Sequence, residues 1–269
     1  MNKDEGKNNR HEAGKATFIE WTPPAAGQPR EVELVMMAPP VRRLVALITG
    51  SSQGLGRALA ERLLSEGWTV HGFARGPQDL THAAFTAHAV DVTDEAAVRS
   101  AVGSVAEAGR IDLLVNNAGA ASMNALLLTP GSVAEQLMRV NYLGTFHCLQ
   151  AVGKVMVRQR AGRIINLTTV AVPLSLEGEA AYVASKAAVE ALTQVAAKEL
   201  ASSGVVVTAL GFGPVDTKLT RAVPKAALAK INAAIGRPEG TTMAQAVDFL
   251  LAHSRSALAG KVEYLGQIG

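Results

Sequence analysis

From residue 43 onward, short apolar runs alternate with segments of helix length. The runs are LVALIT (44–49), TVHGFA (69–74), TAHAVDV (86–92), IDLLVNNAG (111–119), RIINLTTV (163–170) and VVVTALG (205–211), with helical patterns between most of them. Strands alternating with helices pair in parallel, because a crossover is needed to return the chain to the same end of a sheet. Such runs, apolar on both faces, suit a sheet covered by helices on either side. Right-handed crossovers then give an α/β fold, a doubly wound, Rossmann-like parallel sheet, with ligands expected at the carboxyl ends of the strands.

A chain of 269 residues suits one such domain with an appendage, which we place at residues 43–269 and 1–42. Residues 1–15 are polar and read as a tail. The β-prone runs 16-ATFIEW-21 and 31-EVELVMM-37, joined by 22-TPPAAGQPR-30, read as a hairpin or a pair of edge strands, and Pro39 and Pro40 lead into the main domain. No apolar run approaches the roughly 18 residues of a membrane span. The net charge of +3 comes with scattered Lys and Arg rather than a basic stripe, which argues against nucleic acid and for small anionic ligands. The single Cys148 excludes an internal disulfide, and the N-terminus has no apolar targeting segment, so a cytoplasmic location is expected. Neither the histidines nor Cys148 have metal-ligand spacing, and no metal is expected.

Directly after the first run stands 49-TGSSQGLG-56, followed by helical 57-RALAERLLSEG-67. Gly50, Gly54 and Gly56 let the backbone turn tightly and approach a pyrophosphate, whose charge suits a helix N-terminus. A site for NAD commonly has an acidic residue about 20 residues on, at the end of the second strand. Here 69-TVHGFARGPQ-78 offers Arg75 and no carboxylate. A guanidinium there fits a 2′-phosphate, so NADP(H) is the expected cofactor. Asp91 and Val92 fall where they can flank the adenine, while Thr93 and Asp94 cap the next helix.

The Ala-rich segment 180-AAYVASKAAVEALTQVAAKEL-200 has the spacing of a long buried helix, on which Tyr182 and Lys186 share a face. A fixed cation beside a phenol is expected to lower its pKa and make it a usable proton donor. The same ammonium can bond a nicotinamide ribose. Thr169 stands thirteen residues before Tyr182 and carries a hydroxyl able to donate a hydrogen bond. Thr168 is the alternative, though strand alternation points it to the other face.

The set 49-TGSSQGLG-56, 116-NNAG-119, Asn141 within 140-VNYLGTF-146, 182-YVASK-186 and 213-GPVDT-217 resembles, in order and over residues 43 to the C-terminus, the short-chain dehydrogenase/reductase family. The resemblance implies a general acid/base in Tyr182, a ribose-binding Lys186 and an Asn141 that supports a proton-relay water. It implies that Thr169 replaces the usual Ser. The implied cofactor set is Gly50, Ser52, Gln53, Gly54, Leu55, Gly56, Arg75, Asp91, Val92, Asn117, Ala118, Gly119, Tyr182, Lys186, Val215 and Thr217. Phe212 stands where the family often has Pro, which is expected to reshape the neighbouring loop. The implied reaction interconverts a small-molecule ketone and a secondary alcohol using NADP(H). A noncatalytic NADP(H)-binding regulator is the competing reading.

The chain also resembles 3-oxoacyl-carrier-protein reductases and polyketide ketoreductases. On that likeness Arg160, with Arg158, is a docking position for an acyl carrier protein, although Ser203 stands where a second Arg can occur. Residues 218-KLTRAVPKAALAKINAAIG-236 read as an amphipathic insertion over the substrate. The helical segments 132–160 and 180–203 match those through which family members pair, so a homodimer or homotetramer is expected.

Overall fold

The computed structural model describes residues 10–13, 16–19, 42–217, 220, 223–254 and 259–267. Contacts divide the chain into two units, Met1–Arg42 and Arg43–Gly269. In the first, β1 (Arg10–Ala13) pairs antiparallel with β2 (Ala16–Ile19), Arg10 opposite Ile19. This corrects the expectation of a tail over residues 1–15, since β1 falls within it and pairs with β2 across two residues, the commonest hairpin spacing. The run 31–37 lies outside the described residues.

The second unit contains a seven-stranded, all-parallel sheet. Its strands are β3 (Val45–Thr49), β4 (Thr69–Ala74), β5 (Phe85–Ala89), β6 (Leu113–Asn116), β7 (Gly162–Thr169), β8 (Val205–Phe212) and β9 (Val262–Tyr264), in the order β5-β4-β3-β6-β7-β8-β9. The order reverses between β3 and β6, the switch point where doubly wound sheets bind ligands. Six of these strands match the apolar runs. β9 was not foreseen, because three half-buried residues leave almost no periodic signal.

Helices cover both faces. On one, α1 (Gly54–Ser65) buries Gly56, Leu59, Ala60, Leu63 and Leu64, a stripe at helical spacing, together with α8 (Met243–Ser254). On the other lie α2 (Glu95–Ala108), whose N-cap Asp94 accepts from Ala97 N at 3.0 Å, and α4 (Gly144–Gln159), with Cys148, Val152 and Met156 in the core. α4 does not begin at residue 132 as one helix. α3 (Gly131–Leu137) leads into a π-helical segment, Met138–Leu143, and only then into α4. α5 (Ala171–Leu174) follows β7, and α6 (Ala180–Leu200) then runs along β7 and β8. Within residues 218–236 the described helix is α7 (Lys225–Ala234), which buries Ile231.

Candidate active site

Thr49, the last residue of β3, ties two loops together. Its hydroxyl accepts from Asn117 N at 3.0 Å and Ala118 N at 2.9 Å, while the Asn117 side-chain amide donates to Thr49 O at 2.8 Å and Gly50 O at 3.1 Å. Gly50 and Gly56 leave no room for a side chain of their own. A Cβ on Gly56 would lie 2.4 Å from Asn117 Nδ2 and 2.5 Å from Gly50 O, and Gly50 and Gly54 both have positive φ, 68° and 56°. α1 starts here with no side-chain cap on its free amide groups. A helix N-terminus with uncapped amides behind a glycine-rich turn fits a pyrophosphate group.

The turn opens on a cavity of about 830 Å³ at the carboxyl ends of the strands. Gly50, Ser52, Gln53, Gly54, Leu55, Arg75, Asp91, Val92, Asn117, Ala118, Gly119, Thr169, Tyr182, Lys186, Val215 and Thr217 all line it. Two expected residues do not. Gly56 lies behind the turn as a spacer. Asn141, fully buried, has its side chain fully engaged: Oδ1 accepts from Ala120 N at 2.8 Å, and Nδ2 donates to Ala120 O and Ser185 Oγ, both at 2.9 Å. The Asn141 main-chain oxygen accepts from Thr145 Oγ1 at 2.7 Å. The π segment thus brings Asn141 between the loop after β6 and α6, a use typical of π-bulges near sites. Thr49 and Ser185 were not foreseen as site residues, although both lie within the quoted motifs. Neither lines the cavity, and spacing alone gives no hint of a supporting bond.

Arg75 is exposed on the cavity rim after β4. The nearby Arg57 is already engaged by Glu61 and Asp79. Partial burial pushes the Asp91 carboxyl up, but hydrogen bonds from Thr93 and the charges of Arg75 and Arg139 outweigh it and hold Asp91 below the ordinary range.

The two threonines divide as strand alternation predicts. Thr168 Oγ1 donates to Glu190 Oε1 at 2.6 Å, which also accepts from Tyr264 OH at 2.9 Å. Thr169 Oγ1 accepts from Ala171 N at 3.2 Å, and its hydroxyl lies on the same cavity wall as Tyr182, whose pKa it lowers. Lys186 Nζ donates to Leu167 O at 2.8 Å and would lie 3.5 Å from a Cβ on Gly119. The expected lowering of the Tyr182 pKa by Lys186 is absent. Burial pushes the phenol up to about 12, Thr169 opposes this, and Glu179 adds to it. Burial pushes Lys186 down to about 8. Desolvation outweighs the cation because both groups sit in the wall of one apolar crevice. Phe212 is the last residue of β8, buried, with its ring centroid 5.7 Å from that of Phe249.

His147 Nδ1 lies 3.0 Å from Val92 O, a packing contact, and burial pushes the Cys148 thiol up to about 12. Among the described residues no cluster of His, Cys, Asp or Glu could hold a metal, and no helix is long and apolar enough to cross a membrane.

A doubly wound sheet with a glycine turn at its switch point, and a Tyr–Lys helix facing the same crevice, defines a dinucleotide-binding α/β protein of the oxidoreductase kind. A family model described as short chain dehydrogenase matches residues 44–228. The 3-oxoacyl-[acyl-carrier-protein] reductase FabG of Salmonella typhimurium is 34% identical over 227 residues, covering 81% of this chain and 93% of that protein. FabG of Staphylococcus epidermidis is 35% identical over 189 residues, 66% of this chain and 78% of that one. The solved structure of ElxO with NADP bound superposes with a TM-score of 0.76 at 24% identity, covering 83% of this chain and 97% of the other, which supports the fold. The chain belongs to the short-chain dehydrogenase/reductase family, whose members are NAD(P)-dependent oxidoreductases.

Proposed function

We propose that the protein is an NADP(H)-dependent oxidoreductase interconverting a ketone and a secondary alcohol. The observation that carries this reading is that Thr169, Tyr182 and Lys186 line the cavity onto which the glycine turn also opens. When bound, the nicotinamide supplies or accepts the hydride. The chain's residues do the rest. The turn at Gly50 to Gly56 and the first amides of α1 hold the pyrophosphate, and Arg75 meets the 2′-phosphate. Asp91 and Val92 border the adenine, and Asn117, Ala118, Gly119, Val215 and Thr217 line the remaining path toward the nicotinamide.

Thr169 and Tyr182 grip the carbonyl oxygen. With its pKa near 12 the phenol is protonated at neutral pH, the form that donates. An alkoxide is far more basic than a phenolate, so Tyr182 gives up its proton as negative charge develops on that oxygen. Lys186, with its pKa near 8, is an ammonium at neutral pH and restrains the ribose. Asn141 acts by position, joining Ala120 to Ser185 one residue before Lys186.

The relatives' substrate class, 3-oxoacyl groups on a carrier protein, is a candidate for this chain. Exposed Arg158 and Arg160 at the end of α4 suit an acidic carrier. The 54% exposure of Val195 on α6 and 38% of Leu143 support pairing of copies as a homodimer or homotetramer, and a cytoplasmic location accords with this chemistry. The test follows the absorbance of reduced nicotinamide with a panel of ketones and alcohols, offering NADPH and NADH in parallel. Turnover with preference for NADPH, lost in Tyr182→Phe, is the expected result. Tight NADPH binding without turnover of any compound would return the noncatalytic reading.

A further inference from the structure

Among the described residues four charged ones line the cavity: Arg75 and Asp91 follow β4 and β5, and Glu179 and Lys186 belong to the α6 side. The first two and Lys186 have work in the reading above, but Glu179 has none. It immediately precedes α6, three residues before Tyr182 and seven before Lys186, so the three share one face. Its negative charge raises the Tyr182 pKa, which puts the carboxylate within electrostatic reach of the proton donor. Glu179 is half-buried, whereas Glu177 two residues earlier is exposed. The same cavity is walled by Val170, Leu176, Val223, Leu228 and Ile231. Burial pushes the Glu179 carboxyl above the usual range, and among the described residues it has no hydrogen bond or ion pair.

A carboxylate in an apolar wall loses hydration with nothing in return unless a ligand supplies a donor. Sparse polar groups in apolar pockets are what fix a ligand's orientation and identity. We propose that Glu179 is the specificity residue of the cavity, selecting ketones that carry a hydroxyl or ammonium donor near the carbonyl and rejecting those that carry a carboxylate there. This rests on the ketone-reductase reading. It has a kinetic consequence beyond affinity. A bound ammonium cancels the field with which Glu179 holds the Tyr182 proton, so such substrates gain in kcat as well as in KM.

Four ketones of one carbon skeleton, bearing a methyl, hydroxyl, ammonium or carboxylate substituent, test the proposal on the wild type and on Glu179→Gln with NADPH. The hydroxyl and ammonium ketones are expected to exceed the methyl ketone by about tenfold or more in kcat/KM, the worth of a charge-assisted hydrogen bond, with the carboxylate last. In Glu179→Gln the ammonium advantage and its kcat component disappear and the carboxylate ketone rises relative to the others. A preference confined to the ammonium arm assigns a cationic substrate, and one confined to the hydroxyl arm a neutral donor. Equal efficiencies, or the same ranking in Glu179→Gln, would overturn the assignment while leaving Tyr182-dependent turnover of the methyl ketone as support for the reductase. The thermal shift given by each ketone with NADPH present ranks the four without turnover. It therefore decides the matter for Glu179 even if the reductase reading fails.

Discussion

Burial moves the two ionisable groups of α6 in opposite directions, Tyr182 to about 12 and Lys186 to about 8, and each shift has a consequence for stability. An unfolded Lys titrates near about 10.4, so between about pH 8 and that value the unfolded chain holds a proton that folded Lys186 has released. Stability contributed at this site therefore rises with pH across that window, by up to about 1.4 kcal/mol per unit. The phenol acts in the reverse sense above it: Tyr182 keeps its proton when folded and stability falls from about pH 10 to about pH 12. Urea denaturation of the wild type and Lys186→Met at about pH 8 and about pH 10 is expected to show the stability gap narrowing with pH in favour of the wild type. A parallel pair of curves would mean that Lys186 is not desolvated. Thr169 carries the second residue-scale prediction. Thr169→Ser keeps the donor and is expected to retain turnover within a few-fold, whereas Thr169→Val removes it and lowers kcat by about 10²–10³. Steady-state NADPH oxidation distinguishes them. That Tyr182, Lys186 and Thr169 line one cavity was legible from spacing, and alternation along β7 agrees with Thr168, which also borders the cavity, turning its hydroxyl to Glu190. The direction of the Tyr182 shift was not, because desolvation belongs to the assembled crevice and leaves no mark in a four-residue interval.

At the scale of elements, the site depends on loops held closer together than side chains permit. Thr49 and Asn117 fasten the glycine turn to the loop after β6, and Gly56 sits where any Cβ meets Gly50 O at 2.5 Å. That neighbour is backbone and cannot rotate away. Gly56→Ala is expected to spread the turn from the start of α1 and abolish NADPH binding, read as loss of nicotinamide fluorescence enhancement, while far-UV circular dichroism stays helical. Retained binding would show that the turn relaxes at little cost. β7 is fastened to α6 by a second device: Asn116 Nδ2 donates to Asn166 Oδ1 at 2.8 Å and Asn166 Nδ2 to Thr193 Oγ1 at 2.8 Å, a buried polar ladder that fixes their register. Six strands and the amphipathic stripe of α1 were legible from periodicity. The π segment carrying Asn141 was not, since one extra residue per turn shifts the helical pattern too little for apolar spacing to reveal. β1 was missed for another reason: RHEA is a polar tetrad, and only its nearness to a β-prone run made it a strand.

For the molecule as a whole, the order of strands and glycine motif dictated a crevice at the switch point, and the described residues that line the cavity and form the core clusters belong to Arg43–Gly269. Neither β1 nor β2 supplies a strand to the parallel sheet. A chain lacking residues 1–42 is therefore expected to fold and to oxidise NADPH with kcat/KM within a few-fold of the full chain. Because a ligand that binds only the folded state stabilises it by RT ln(1 + [L]/Kd), NADPH at about a hundredfold its Kd should raise the stability of both chains alike, by about 2.7 kcal/mol. Measuring Tm of each chain with and without NADPH separates two ways in which the truncation might matter. An equal rise in both, with equal mass by light scattering, leaves the N-terminal unit outside catalysis and assembly. A smaller rise in the short chain would make that unit part of the cofactor site, and a lower mass would make it part of the contact between copies.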